Sequence, residues 1–251
     1  MRGAMPEGDA LHRAAERLRV LEGEIVAAES LHPRAAALGI AKRIDGRRLE
    51  RVEARGKSLL LTFEGDLVVR SHLRMRGRWY VQPAGSRVVG TPWLVLRAGV
   101  WQAVQRNGPV LELGTRRIAR LGPDIMETPP AVDAMVARFR RADQTRELGE
   151  ALLDQTLVAG IGNKWKAEAL FEVSLSPWLR LGAVSDRKLG RLLEAASRLM
   201  QRGSPARMVY RRVGRPCRRC GTAIASRPQG ETRRIAYWCP TCQAGTEPAG
   251  S

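Results

Sequence analysis

The sequence contains no apolar run near the roughly 18 residues that a bilayer-spanning helix requires. Its start also lacks the apolar core of a secretory leader, so neither a membrane span nor export is expected and the chain is placed in the cytoplasm. Lysine is scarce. Only Lys42, Lys57, Lys164, Lys166 and Lys188 stand among 43 basic residues. Histidine occurs three times, at His12, His32 and His72, too scattered to suggest a histidine metal centre. These three read as surface or packing residues. Cysteine is absent from most of the chain and then occurs four times between 217 and 242, which argues against a disulfide framework distributed through the fold.

What is abundant is positive charge. Against 43 basic residues stand 25 acidic ones, a net charge of +18 with a pI near 11.2. Such a balance favours a polyanionic partner through counterion release. It fits an arginine-rich solvated surface equally well, and it does not say which nucleic acid is bound. With 44% hydrophobic and 27% charged residues over 251 positions, the chain reads as one large or two modest globular domains with a real core. The cysteines form Cys217-x2-Cys220 and Cys239-x2-Cys242, 18 residues apart. Two such knuckles deliver four thiolates to a closed tetrahedral Zn²⁺ site, so a structural zinc finger is expected. The spacing says little about function.

Along the chain, residues 8–22 place Leu11, Ala14, Ala15, Leu18 and Leu21 on one stripe, which predicts an amphipathic helix closed by Gly23. Short β-like runs follow at 48–55, 58–63, 66–71, 78–81, 93–96 and 100–104, separated by turn residues, as in an antiparallel sandwich or barrel. Gly122-Pro123-Asp124 and Thr128-Pro129-Pro130 read as a linker. Helical patterns then cover 146–155, 164–173 and 184–201, before a break at Gly203-Ser204-Pro205 and the cysteine module. The expected architecture is α+β: an N-terminal antiparallel β-sandwich domain with flanking helices (5–126), a helical domain (131–203) and a zinc hairpin (208–243), with a cleft between domains as the default site.

Five stretches carry a more specific signal: Met5-Pro6-Glu7-Gly8-Asp9; Arg55-Gly56-Lys57-Ser58; His72-Leu73-Arg74-Met75-Arg76-Gly77-Arg78-Trp79; Gly160-Ile161-Gly162-Asn163 leading to Glu168-Ala169-Leu170-Phe171; and Cys217 through Arg234 to Cys242-Gln243. In this order, and over nearly the whole chain, they resemble the formamidopyrimidine-DNA glycosylase/endonuclease VIII family. The resemblance implies a bifunctional DNA glycosylase/AP lyase of base excision repair acting on damaged DNA as a monomer, with a helix–two-turn–helix element in the helical domain.

It implies roles residue by residue. Pro6 is the nucleophile once the preceding methionine is removed, since an α-amine titrates near about 8 and keeps a useful neutral fraction. As numbered, Pro6 follows Met1-Arg2-Gly3-Ala4-Met5, so translation is expected to start at Met5. Glu7 is the general acid/base. Lys57 contacts a phosphate beside the lesion and assists catalysis. Met75 fills the stack vacated by the damaged base. Asn163 binds the DNA backbone, next to glycines suited to turns with positive φ. Arg234 grips flanking phosphates from the tip of the zinc hairpin, with Arg233 adjacent. Ala10 stands where some relatives carry a second glutamate, so that carboxylate is absent or its role has passed to Asp9. Purine-specific relatives show Asp-Pro-Arg-Arg-Phe-Gly where this chain has Gln105-Arg106-Asn107-Gly108-Pro109, and Arg106 is taken as the intercalating arginine. The Pro-Glu-Gly opening and the short 202–217 segment lean toward the endonuclease VIII branch and oxidised pyrimidines. A non-catalytic zinc protein that binds nucleic acid by charge, and a relative that binds abasic DNA without cutting it, account for the same charge and cysteines and differ from the enzyme in leaving the strand intact.

Overall fold

A computed structural model describes residues 6–116, 118–203, 207–243 and 245. The chain divides into two compact units, up to Arg120 and from Leu121.

The first unit opens with α1 (Gly8–Leu18), whose stripe of Leu11, Ala14, Ala15 and Leu18 is buried as its spacing predicts. Next come β1 (Ala27–Glu29), α2 (Pro33–Ala37) and α3 (Ile40–Ile44). Seven strands follow: β2 (Leu49–Arg55), β3 (Ser58–Phe63), β4 (Leu67–His72), β5 (Arg78–Pro83), β6 (Leu94–Ala98), β7 (Trp101–Arg106) and β8 (Val110–Leu113). Together with β1 they form two antiparallel four-stranded sheets, ordered β1-β6-β7-β5 and β2-β3-β4-β8. Leu59, Leu61 and Phe63 of one sheet share a single apolar cluster with Leu94, Leu96 and Ala103 of the other and with α1, which makes this unit a β-sandwich. Burying one such leucine stabilises the unit by about 1.5–3 kcal/mol. α1 packs against β2, β3 and β5.

The second unit contains α4 (Val132–Arg141), α5 (Leu148–Ala151), α6 (Asn163–Glu172), α7 (Asp186–Arg202), β9 (Ala225–Gln229) and β10 (Arg234–Trp238). α7 is bounded as a helix should be. The Ser185 side chain accepts from the Lys188 N–H at 3.4 Å, and Gly203 ends the helix at φ 63°. The helix expected over 146–155 is shorter, because the Asp154 carboxylate accepts from the Thr156 N–H (3.0 Å) and hydroxyl (2.7 Å) and turns the chain away. Burial alone would raise the Asp154 pKa. The Thr156 bonds and Arg146, 2.9 Å away, outweigh that and hold it below the usual carboxylate range. Gln155 then bonds the Leu153 and Ile161 carbonyls and the Gly160 N–H, fixing the two turns between α5 and α6. Of the two glycines expected at positive φ, Gly160 is at 101°, whereas Gly162 is extended and caps α6. β9 and β10 form an antiparallel hairpin. Among the described residues, no helix is long and apolar enough to cross a membrane.

Candidate functional site

In the first unit, strand register gathers the singled-out residues at one end. Gly56-Lys57 is a two-residue hairpin turn closed by the pair Arg55 and Ser58. Gly56 sits at φ 58°, the conformation the first central position of such a turn demands. The next ladder pairs Leu59 with Ser71, and His72 faces Val110, so the Lys57 turn lies beside the end of β4. The chain leaves β4 into residues 73–77. Leu73 points into the core, the Gly77 N–H closes the turn on the Leu73 carbonyl at 2.8 Å, and Met75 stands 54% exposed at the tip. A methionine in the core would be covered, so packing does not explain it. A Cβ on Gly77 would lie 2.5 Å from the Leu73 oxygen, so the tight turn requires glycine. Arg106, half-buried at the end of β7, pairs with Arg78 across the sheet and lies 5.9 Å over the Tyr80 ring.

His72, treated above as a packing residue, belongs to this cluster. Burial, reinforced by the positive charges of Arg70, Arg74 and Lys57, depresses its pKa to about 4. Its Nδ1 accepts the Arg74 N–H at 3.0 Å, which leaves the ring neutral with its proton on Nε2. Only packing reveals this, since the cations come from three sequence positions. Arg70 itself is buried, bonding Ser58 Oγ at 3.0 Å and Glu112 at 2.8 Å.

Pro6 and Glu7 stand where α1 begins. Glu7 occupies the N-cap and is 4% exposed, yet its carboxylate makes no capping bond. Capping therefore does not account for a buried acid next to Pro6. Asp9, also buried, is paired with Arg13 at 2.7 Å. Residues 1–5, and with them the expected start at Met5, lie outside the described residues.

In the second unit, Asn163 is the first residue of α6, and its Nδ2 donates to the Ile235 carbonyl of β10 at 2.9 Å. Its Oδ1 is buried without a hydrogen-bond partner. Asn163 thus lies beside Arg234, the first residue of β10. Arg233 occupies the left-handed tip turn at φ 48°, and both arginines are exposed. Glu168, buried in α6, accepts the N–H groups of Met208 (2.9 Å), Val209 (3.2 Å) and Tyr210 (2.9 Å), fastening the segment that leads to the cysteines.

The four cysteine sulfurs lie within 4.8 Å of one another. Four Zn–S bonds of about 2.3 Å at tetrahedral angles would space sulfurs about 3.8 Å apart, close to the 3.9 Å of Cys217–Cys242 and 3.4 Å of Cys220–Cys239. Backbone N–H groups of Arg219 and Cys242 point at the Cys217 and Cys239 sulfurs, each at 3.4 Å. Thr222 draws the Cys220 pKa down to about 6, while burial and the neighbouring thiols push Cys242 up to about 12. Four crowded thiols cannot all ionise without a cation among them. The cluster is therefore fit to hold a metal ion.

Comparison with known proteins identifies the family. Residues 5–117 match the formamidopyrimidine-DNA glycosylase N-terminal domain and residues 121–207 its H2TH domain. The chain is 38% identical to a probable endonuclease 8 2 of Streptomyces coelicolor, over 97% of this chain and 96% of that protein. It is 32% identical to the DNA-(apurinic or apyrimidinic site) lyase Nei2 of Mycolicibacterium smegmatis, over 96% of this chain and all of that one. In structure it resembles the Lactococcus lactis formamidopyrimidine-DNA glycosylase solved with DNA containing N7-benzyl-Fapy-dG, with a TM-score of 0.80, 22% identity, and coverage of 96% of this chain and 100% of the other. The chain belongs to the formamidopyrimidine-DNA glycosylase/endonuclease VIII family.

Proposed function

We propose that this chain is a bifunctional DNA glycosylase/AP lyase of base excision repair. The observation that carries the reading is the buried Glu7 carboxylate, unused as a helix cap, directly following Pro6 in a member of this family. With its amine free, Pro6 attacks C1′ of the damaged nucleotide. The base leaves with the bonding electrons and the proline proton; the C1′–O4′ bond then breaks as O4′ takes a proton from Glu7, and the ring-opened sugar is left linked to the protein as a C1′ iminium. Glu7 moves protons at the sugar. The iminium acidifies C2′–H, and loss of that proton expels the 3′ phosphate and nicks the strand. Lys57 and neutral His72, which offers its Nε2–H, hold a phosphate on the lesion side. Met75 and Arg106 occupy the space of the displaced base. Asn163 and Arg234, joined through β10, hold the backbone from the second unit. Zn²⁺ on Cys217, Cys220, Cys239 and Cys242 is structural and aims the β9–β10 hairpin.

The working division is a catalytic part over 5–126, the helix–two-turn–helix part over 131–203 and the zinc hairpin over 208–243. The Pro-Glu-Gly start and the endonuclease 8 names of several relatives favour an oxidised pyrimidine as substrate.

The test is borohydride trapping on an oligonucleotide with one abasic site, using protein initiated at Met5 with that methionine removed. An adduct mapped to Pro6 is expected. An adduct on Lys57 would move the nucleophile. None from folded, zinc-loaded protein would leave a non-catalytic DNA-binding protein.

A further inference from the structure

Gln105 is fully buried, and its Oε1 has no hydrogen-bond partner. Its Nε2 donates to Ser71 Oγ at 2.5 Å, and the Trp79 indole N–H reaches the same oxygen at 3.2 Å. Ser71 and Gln105 are 34 positions apart and belong to different sheets, so this bond ties one sheet to the other. It does so where the two exposed loops begin. Ser71 precedes His72 and the loop carrying Met75, while Gln105 precedes Arg106 and the loop to β8. That second loop lies directly on the amide: a Cβ on Gly108 would fall 2.3 Å from Gln105 Nε2.

Each loop also holds a non-glycine residue in the left-handed region, Arg74 at φ 51° and Asn107 at φ 50°. For an arginine such backbone persists only where its surroundings over-determine it, whereas asparagine adopts it readily. His72 Nδ1 does this for Arg74 by accepting its N–H. On the other loop, the Gln105 side chain lies beneath Gly108, the residue after Asn107. An apolar side chain of the same length would fill the space without leaving an unpaired polar atom, so packing alone does not call for glutamine.

We propose that Gln105 is a positioning residue for base displacement. Through Ser71 and Gly108 it fixes the Met75 and Arg106 loops to each other, so that both side chains enter the duplex in one register. This rests on the reading of Met75 and Arg106 given above.

The experiment compares wild type with Gln105→Met and, independently, Ser71→Ala, all starting at Pro6. Three quantities are read: excision of dihydrouracil from a duplex, trapping at an abasic site in a single strand, and fluorescence of 2-aminopurine placed opposite a tetrahydrofuran site. Both variants should lose about tenfold or more in kcat for duplex excision, as small misplacements near the reacting centre do. Trapping on the single strand, where no base has to be displaced, should stay within about twofold. The 2-aminopurine response on binding should be lost and the thermal midpoint kept. Duplex excision at the wild-type rate overturns the proposal. So does an equal fall in both reactions together with a lowered midpoint, which would mark Gln105 as a structural residue. If wild type fails to trap abasic DNA, the enzyme reading falls instead, and the 2-aminopurine response still reports whether Gln105 orders the loops.

Discussion

The environment of His72 makes a stability prediction whose sign and size can be worked out. Its ordinary pKa is 6.5 and the folded value is about 4, lowered first by burial and then by Arg70, Arg74 and Lys57. The unfolded chain therefore binds the proton more tightly, so stability rises with pH across this interval and is lost as pH falls from about 6.5 toward 4. At pH 5.5 the unfolded imidazole is mostly charged and the folded one mostly neutral. Between pH 7.5 and 5.5 the difference comes to about 1.3 kcal/mol. Native-state hydrogen exchange of the amides in β3 and β4 reports the opening free energy of the unit that holds His72. His72→Gln keeps an acceptor for the Arg74 N–H and removes the titration. The wild-type opening free energy should fall by about 1 kcal/mol more than that of His72→Gln over this range. Parallel pH dependence in the two proteins would refute the argument, and with it the neutral Nε2–H donor beside Lys57.

Purified protein should carry one zinc per chain by elemental analysis. Chelation should disorder the β9–β10 hairpin, since structural zinc sites bind with about 10–16 kcal/mol that the apo hairpin must forgo; a metal-free chain with an ordered hairpin would contradict a structural site. Asn163→Ala removes the bond to the Ile235 carbonyl and a candidate backbone contact, and should weaken binding to a tetrahydrofuran duplex about tenfold, measured by anisotropy at fixed salt. Unchanged binding would remove Asn163 from the interface.

How far the sequence carried the fold follows from segment length and from the range of the contacts. α1 and α7 were legible because each spans several turns, enough for the apolar stripe to repeat. β1, with three residues, and α2 and α3, with five each, are too short for any periodicity to register. The over-long helix at 146–155 failed for a local reason: Asp154 is a tolerable helix residue until its carboxylate is seen bonding Thr156. Cysteine spacing disclosed the metal cluster because two knuckles suffice to build it. The site in the sandwich is another matter. Lys57, Met75 and Arg106 could be named from motifs, but what brings them to one end is the pairing of β4 with β8 and of β5 with β7, strands that are not consecutive in the chain, and the pattern within one segment does not name its partner. His72 and Gln105 were missed for the same reason. Each looks ordinary in its own segment, and each acquires its character from a partner elsewhere: the cations around the imidazole, and the Ser71 hydroxyl across the sandwich. The motifs therefore name the groups placed to touch DNA, while the residues that set the charge and position of those groups become visible only where strands from different parts of the chain meet.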